Sequence, residues 1–163
     1  DRPEIAAEEL PADAYRDDVA ANLAVAERWV TEHPDTEFDF FLPPYSILFW
    51  DKVIREGRTE AVFAAIRQAG QTLLQYDNVK FYGYLMDPEI VTNLDNYCDY
   101  IHHSGGVCRE ILAMLQREEG RLTEENLEET LANWREFVVH YDYDQFWDER
   151  FWIQWNAEHA AAP

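Results

Sequence analysis

An aspartate three residues ahead of a histidine pair, Asp99-Tyr100-Ile101-His102-His103, is the spacing in this chain that most directly suggests chemistry. In a turn that leads into a helix, residues i and i+3 lie close enough for the Asp99 carboxylate to reach one ring nitrogen of His102. That contact fixes the imidazole tautomer and supports its charge, and it frees the other nitrogen to act as a base. His103, one residue on, is expected to face elsewhere. The same stretch reads in two other ways: Cys98, His102, His103 and Cys108 form a Cys-x3-His-His-x4-Cys array, and the whole segment is also a plausible polar turn. Ligand pairs of ordinary structural zinc sites sit closer in sequence than this array places them, so no metal is expected. Cys108 falls beside Ile111, Leu112 and Leu115 at helical spacing, which predicts a buried free thiol, with a Cys98–Cys108 disulfide the other option.

The elements that must position these residues follow from periodicity. Tyr15, Val19, Leu23, Ala26 and Val30 recur at helical spacing across residues 13–31, before Pro34 breaks the pattern. Phe38, Phe40, Phe41 and Leu42 form a short apolar run closed by Pro43-Pro44, which suits a strand buried on both faces. Residues 47–76 read as helix interrupted at Arg55–Glu60, and residues 78–85 as a second strand. Asp87-Pro88 predicts a helix start, and Ser104 is expected to cap a helix over 105–117. Thr123 and Asn126 form a capping-box variant ahead of a long amphipathic helix. Strands alternating with helices imply parallel pairing through crossovers, an α/β fold. Two strands make a poor sheet, so the pattern predicts the second half of a larger α/β domain, or one that completes its sheet with a partner.

Charge narrows the partners. The 163 residues carry 13 Lys and Arg against 33 Asp and Glu, a formal charge of −20. Such a potential repels phosphate backbones, so nucleic acid is not an expected partner. No apolar run reaches the roughly 18–20 residues that span a bilayer. Tyr141, Tyr143, Phe146, Trp147, Phe151, Trp152 and Trp155 lie in an acidic aromatic C-terminal tail, 141–163. These side chains suit packing onto the domain or a neighbouring chain better than stacking on sugars. Asp142 and Asp144 are read as surface charge.

The segment DNYCDYIHHSGGVCREIL, with FDFFLPPYSILFWD before it, resembles the last blocks of the SGNH, or GDSL-like, hydrolase superfamily, in the branch similar to exported bacterial polysaccharide O-acetyltransferases and D-alanyl transfer proteins. The resemblance spans roughly residues 22–145. It implies that residues 1–163 form one domain, the C-terminal part of a helix-rich, three-layer α/β/α (flavodoxin-like) parallel-sheet domain lacking its N-terminal strands. It further implies an esterase or O-acyltransferase acting on acyl, mostly acetyl, esters of carbohydrate, exported or membrane-anchored outside the cytoplasm and needing no cofactor. In that reading Asp99 orients and His102 is the general base, Tyr45 and Ser46 face the substrate, and the nucleophilic serine lies in a missing N-terminal part of the same protein. The chain departs from the family in having no Gly-Asp-Ser or Gly-Thr-Ser block and no Gly-x-x-Asn-Asp. Ser46 and Ser104 are its only serines. Alone, the chain is then expected to be inactive. The competing expectation is a non-catalytic binding or assembly module with an acidic, aromatic surface.

Overall fold

The structure, a computed structural model, describes residues 2–148 together with Arg150 and Ile153. The first helix, α1 (Arg16–Glu32), buries Leu23 and Val30 from the predicted stripe. Strand β1 (Phe38–Phe41) follows, then α2 (Ile47–Arg55) and α3 (Thr59–Leu73), split within the predicted breaker. Gly57 makes that break possible: it sits at φ +63°, and a Cβ there would come within 2.7 Å of the Glu8 carbonyl oxygen. The N-terminal segment runs alongside, with Ala6 N–H donating to Arg55 O and Leu10 N–H to Gly57 O.

Strand β2 (Val79–Tyr82) pairs in parallel with β1, in the register Phe38–Val79 to Phe41–Tyr82. The short α4 (Pro88–Val91) starts as predicted, the Asp87 side chain accepting from Glu89 and Ile90 N–H. Helix α5 (Gly105–Arg117) is followed by β3 (Arg121–Leu122) and α6 (Leu127–His140). The predicted reciprocal cap before α6 is present, Thr123 N–H donating to Asn126 Oδ1 and Asn126 N–H to Thr123 Oγ1.

The α/β class is therefore observed, with a mixed rather than wholly parallel sheet. Among the described residues its strand order is β1-β2-β3, and β3 is antiparallel to β2. A two-residue strand carries no periodic signal, which is why β3 was not predicted. Strand β1 also differs from expectation. It lies at the sheet edge with Asp39 and Phe41 exposed, because only one of its faces meets the core.

Alternation along β2 divides the interior. Val79 and Phe81 join the main core, built from α1, α2, α3 and α6 around Trp50, Phe63, Leu131 and Trp134. Tyr82 turns the other way, into a smaller cluster with Tyr84, Ile90, Val107, Ile111 and Met114. Helices α3 and α6 approach closely at Gly70, where a Cβ would lie 2.8 Å from a Leu127 methyl. The start of the aromatic tail packs inward as expected, Tyr143 and Phe146 joining the main core. Phe151, Trp152 and Trp155 lie outside the described residues. No helix among the described residues is long and apolar enough to cross a membrane.

Candidate functional site

After β1, Pro43-Pro44-Tyr45-Ser46 runs along the carboxyl end of the sheet, where open parallel strand pairs place their ligands. The loop 97–104 is stapled to it. Tyr97 donates its hydroxyl to Pro44 O at 2.9 Å, and both the backbone N–H and the hydroxyl of Ser46 donate to Tyr100 O, at 3.1 and 2.9 Å. Burial drives the Tyr97 phenol well above its ordinary pKa, consistent with its use as a fixed donor. Within the loop, Tyr97 and His103 bridge antiparallel and Cys98 N–H donates to His102 O.

This frame holds Asp99 and His102 as the spacing predicts. Asp99 Oδ1 accepts from the backbone N–H of Ile101 and His102 at 2.9 and 2.8 Å, and Oδ2 lies 2.6 Å from His102 Nδ1. The imidazole, then the two backbone donors, lower the Asp99 pKa to about 2. With the His102 side chain 70% and the Asp99 side chain 47% exposed, solvent screens the pair, so it orients the ring more than it stabilises the fold. Among the described residues His102 Nε2 has no protein hydrogen bond.

A carboxylate whose folded pKa is depressed contributes above its ordinary pKa and loses that contribution as pH falls through the folded value. The Ile101 and His102 amide resonances are therefore expected to hold down through the ordinary carboxylate range and to inflect near pH 2. An inflection in the ordinary range would mean that the pair does not form in solution.

His102 lines an open cavity of about 300 Å³ together with Pro43, Tyr45, Ile101 and His103. Tyr45 lines this cavity, and Ser46 does not. Ser46 is 1% exposed, its hydroxyl is committed to Tyr100 O, and it lines no part of this cavity. His103, expected to face away, shares the cavity wall. Its Nδ1 lies 3.4 Å from Ser104 O and 3.7 Å from Cys108 Sγ. Ser104 occupies the N-cap position of α5 without a side-chain capping bond. Both cysteines are free and exposed, which corrects the expected burial of Cys108: its side of α5 turns past the edge of the smaller core. Among the described residues no group of three or more His, Cys, Asp or Glu is arranged to hold a metal.

A second cavity, of about 330 Å³, adjoins the back of the loop and is walled by Arg2, Pro3, Leu48, Asp51, Lys52, Tyr100 and Trp147. Lys52 Nζ lies 4.8 Å from the centre of the Tyr100 ring, and Arg2 pairs with the buried Asp51. Nothing local announces this arrangement, because Arg2 meets Asp51 across 49 positions and Lys52 meets Tyr100 across 48.

Two curated relatives match the chain, from Lacticaseibacillus casei (strain BL23) and Lacticaseibacillus paracasei (strain ATCC 334). Each is named UPF0735 ACT domain-containing protein and is 24% identical over 90 residues, 55% of this chain and 62% of the relative. The chain therefore spans less than two thirds of the length of the curated relatives it matches. No protein-family model matches it, and no solved structure does so significantly. These findings correct the expectation of an SGNH-like esterase or polysaccharide O-acetyltransferase, since the relatives carry an ACT-domain name and no hydrolase model matches.

Proposed function

We propose that the chain is a small-molecule-binding regulatory module whose ligand sits over His102 in the cavity between Pro43–Tyr45 and Ile101–His103. The observation that carries this is the Asp99–His102 pair at the lip of a cavity without a serine nucleophile. A neutral imidazole that donates Nδ1–H to the Asp99 carboxylate presents Nε2 as an acceptor. The matching ligand offers an ammonium or hydroxyl donor to Nε2 and an apolar or flat face to Tyr45 and Pro43. The −20 charge favours an ammonium compound over an anion. The ACT-domain name of the relatives supports a regulatory small-molecule role. The finer architecture, a three-layer α/β/α domain, is supported by the helices packed on both faces of β2.

Calorimetric titration against amino acids, amino alcohols, neutral polyols and dicarboxylates tests the reading. Binding is expected from a donor-bearing class, weakened about tenfold or more by His102→Ala, the worth of one hydrogen bond to a polarised group. Asp99→Asn should weaken it less. No binding from any class, or binding indifferent to His102→Ala, would overturn the proposal.

The short Asp99–His102 contact favours a second reading, in which Nε2 also takes a proton from the bound donor and Asp99 holds the ring for that transfer. Turnover of a bound compound that falls about a hundredfold in both His102→Gln and Asp99→Asn would distinguish it from binding alone.

A further inference from the structure

Cys108 does not line the ligand site above, and it pairs with His103, whose ring shares that cavity's wall. The Cys108 thiol is exposed, and its sulfur lies 3.7 Å from His103 Nδ1. Cys108 is the fourth residue of α5, a helix of 13 residues, so its sulfur sits in the first turns, where the helix end favours negative charge. Ser104 leaves that end without a side-chain cap. The Arg109 guanidinium folds back over it, within 3.9 and 4.0 Å of the positions that a Cβ on Gly105 and Gly106 would take. His103 Nδ1 and the start of α5 thus both lie at the Cys108 sulfur, which places a base within reach of the thiol proton. A protonated Nδ1 also serves the Ser104 carbonyl at 3.4 Å, so the charged pair leaves neither acceptor unpaired.

Cys98 supplies the contrast. It is equally free and exposed and lies in the loop that leads into α5, and among the described residues its sulfur has no hydrogen bond to an imidazole or a cation.

We infer that Cys108 is a thiol-exchange site, activated by His103, that takes low-molecular-weight disulfides. The thiol proton passes to His103 Nδ1, and the thiolate attacks one sulfur of R–S–S–R. A Cys108–S–S–R bond forms as the S–S bond of the disulfide breaks, R–S⁻ leaves, and it takes the proton from His103 to become R–SH. The inference does not require the ligand proposed for His102, although that ligand would share the His103 wall.

The probe is 2-hydroxyethyl disulfide, which is uncharged, so the acidic surface does not bias its approach. Adduct formation is followed by intact mass at neutral pH in Cys98→Ser and Cys108→Ser chains, so that each thiol is read separately. In native buffer Cys108 is expected to react at least about fivefold faster than Cys98, and in urea the two should react alike. His103→Gln in the Cys98→Ser background should bring Cys108 down to the rate of Cys98. If that variant does not fold, the native-to-urea ratio of Cys108 in the otherwise unaltered chain decides the matter. Equal native rates for the two thiols, or a Cys108 rate unchanged in folded His103→Gln, would overturn the inference.

Discussion

Arg2→Met is expected to destabilise the protein by about 3 kcal/mol, the scale for breaking a largely buried ion pair. Arg2 Nε and one terminal nitrogen bind the two oxygens of Asp51 at 2.9 and 3.0 Å, and the other terminal nitrogen reaches Asp144 at 2.7 Å. The Asp51 side chain is 6% exposed and that of Arg2 19%, so water cannot replace the guanidinium once it is gone. Asp51, held between Trp50 and Lys52 on α2, would be left as a buried carboxylate without its partner. The Asp51 and Asp144 carboxylates raise the Arg2 pKa beyond its already high ordinary value, so pH does not switch this contact off in any useful range. Urea unfolding should show a lower midpoint with an unchanged slope. Arg2→Met with Asp51→Leu is expected to recover most of the loss, because an apolar pair of similar volume avoids the desolvation cost altogether. A loss below about 1 kcal/mol in the single variant would mean that the pair behaves as a surface bridge. The consequence reaches the ligand cavity, since the next residue, Lys52, donates to the Tyr100 hydroxyl at 3.4 Å and braces the loop that carries Asp99 and His102.

How much of this was legible depends on whether a residue's partner was local. Asp99 and His102 are three apart, and the turn that joins them is encoded in the same few residues, so the spacing alone placed the contact. The starts of α4 and α6 were legible for the same reason: Asp87 and Thr123 find their donors within three positions. Arg2 and Asp51 are 49 apart, and nothing local to either announces the other. Ser46 shows the limit differently. It was read as the end of a strand but is the N-cap residue of α2, beyond the end of β1 at Phe41, and its burial and its bond to Tyr100 O come from a loop 54 residues away. Cys108 was misjudged because helical spacing identifies an apolar stripe without saying where the facing cluster ends. The family resemblance rested on the same short block as the Asp-His contact. A local motif that many folds can form placed the contact correctly, but the relatives that match carry a different domain name.

Trp50→Ala should carry the largest penalty in the chain, about 3–5 kcal/mol, from lost burial and the cavity left behind. Trp50 is fully buried on α2, 5.2 Å from the Phe63 ring on α3 and 6.0 Å from the Trp134 ring on α6. Three helices therefore meet on one side chain, and none can close the gap without giving up its other contacts. Against a total stability of about 5–15 kcal/mol, that loss brings unfolding within reach at physiological temperature. Trp50→Phe separates the causes. The Trp50 indole N–H is buried without a hydrogen-bond partner, a cost of about 1–3 kcal/mol that phenylalanine does not carry. Its removal offsets much of the lost ring volume, so Trp50→Phe is expected to fall within about 1 kcal/mol of the parent protein. A penalty for Trp50→Phe close to that of Trp50→Ala would show that the N–H is satisfied in solution. Trp50 also continues a ladder of rings, Phe49 at 5.5 Å and, beyond it, Tyr45 at 4.9 Å from Phe49, that ends on the wall of the ligand cavity. Trp50→Phe should leave that wall and ligand affinity intact, whereas any folded fraction of Trp50→Ala should bind more weakly, because the rung that holds Phe49 beneath Tyr45 is gone.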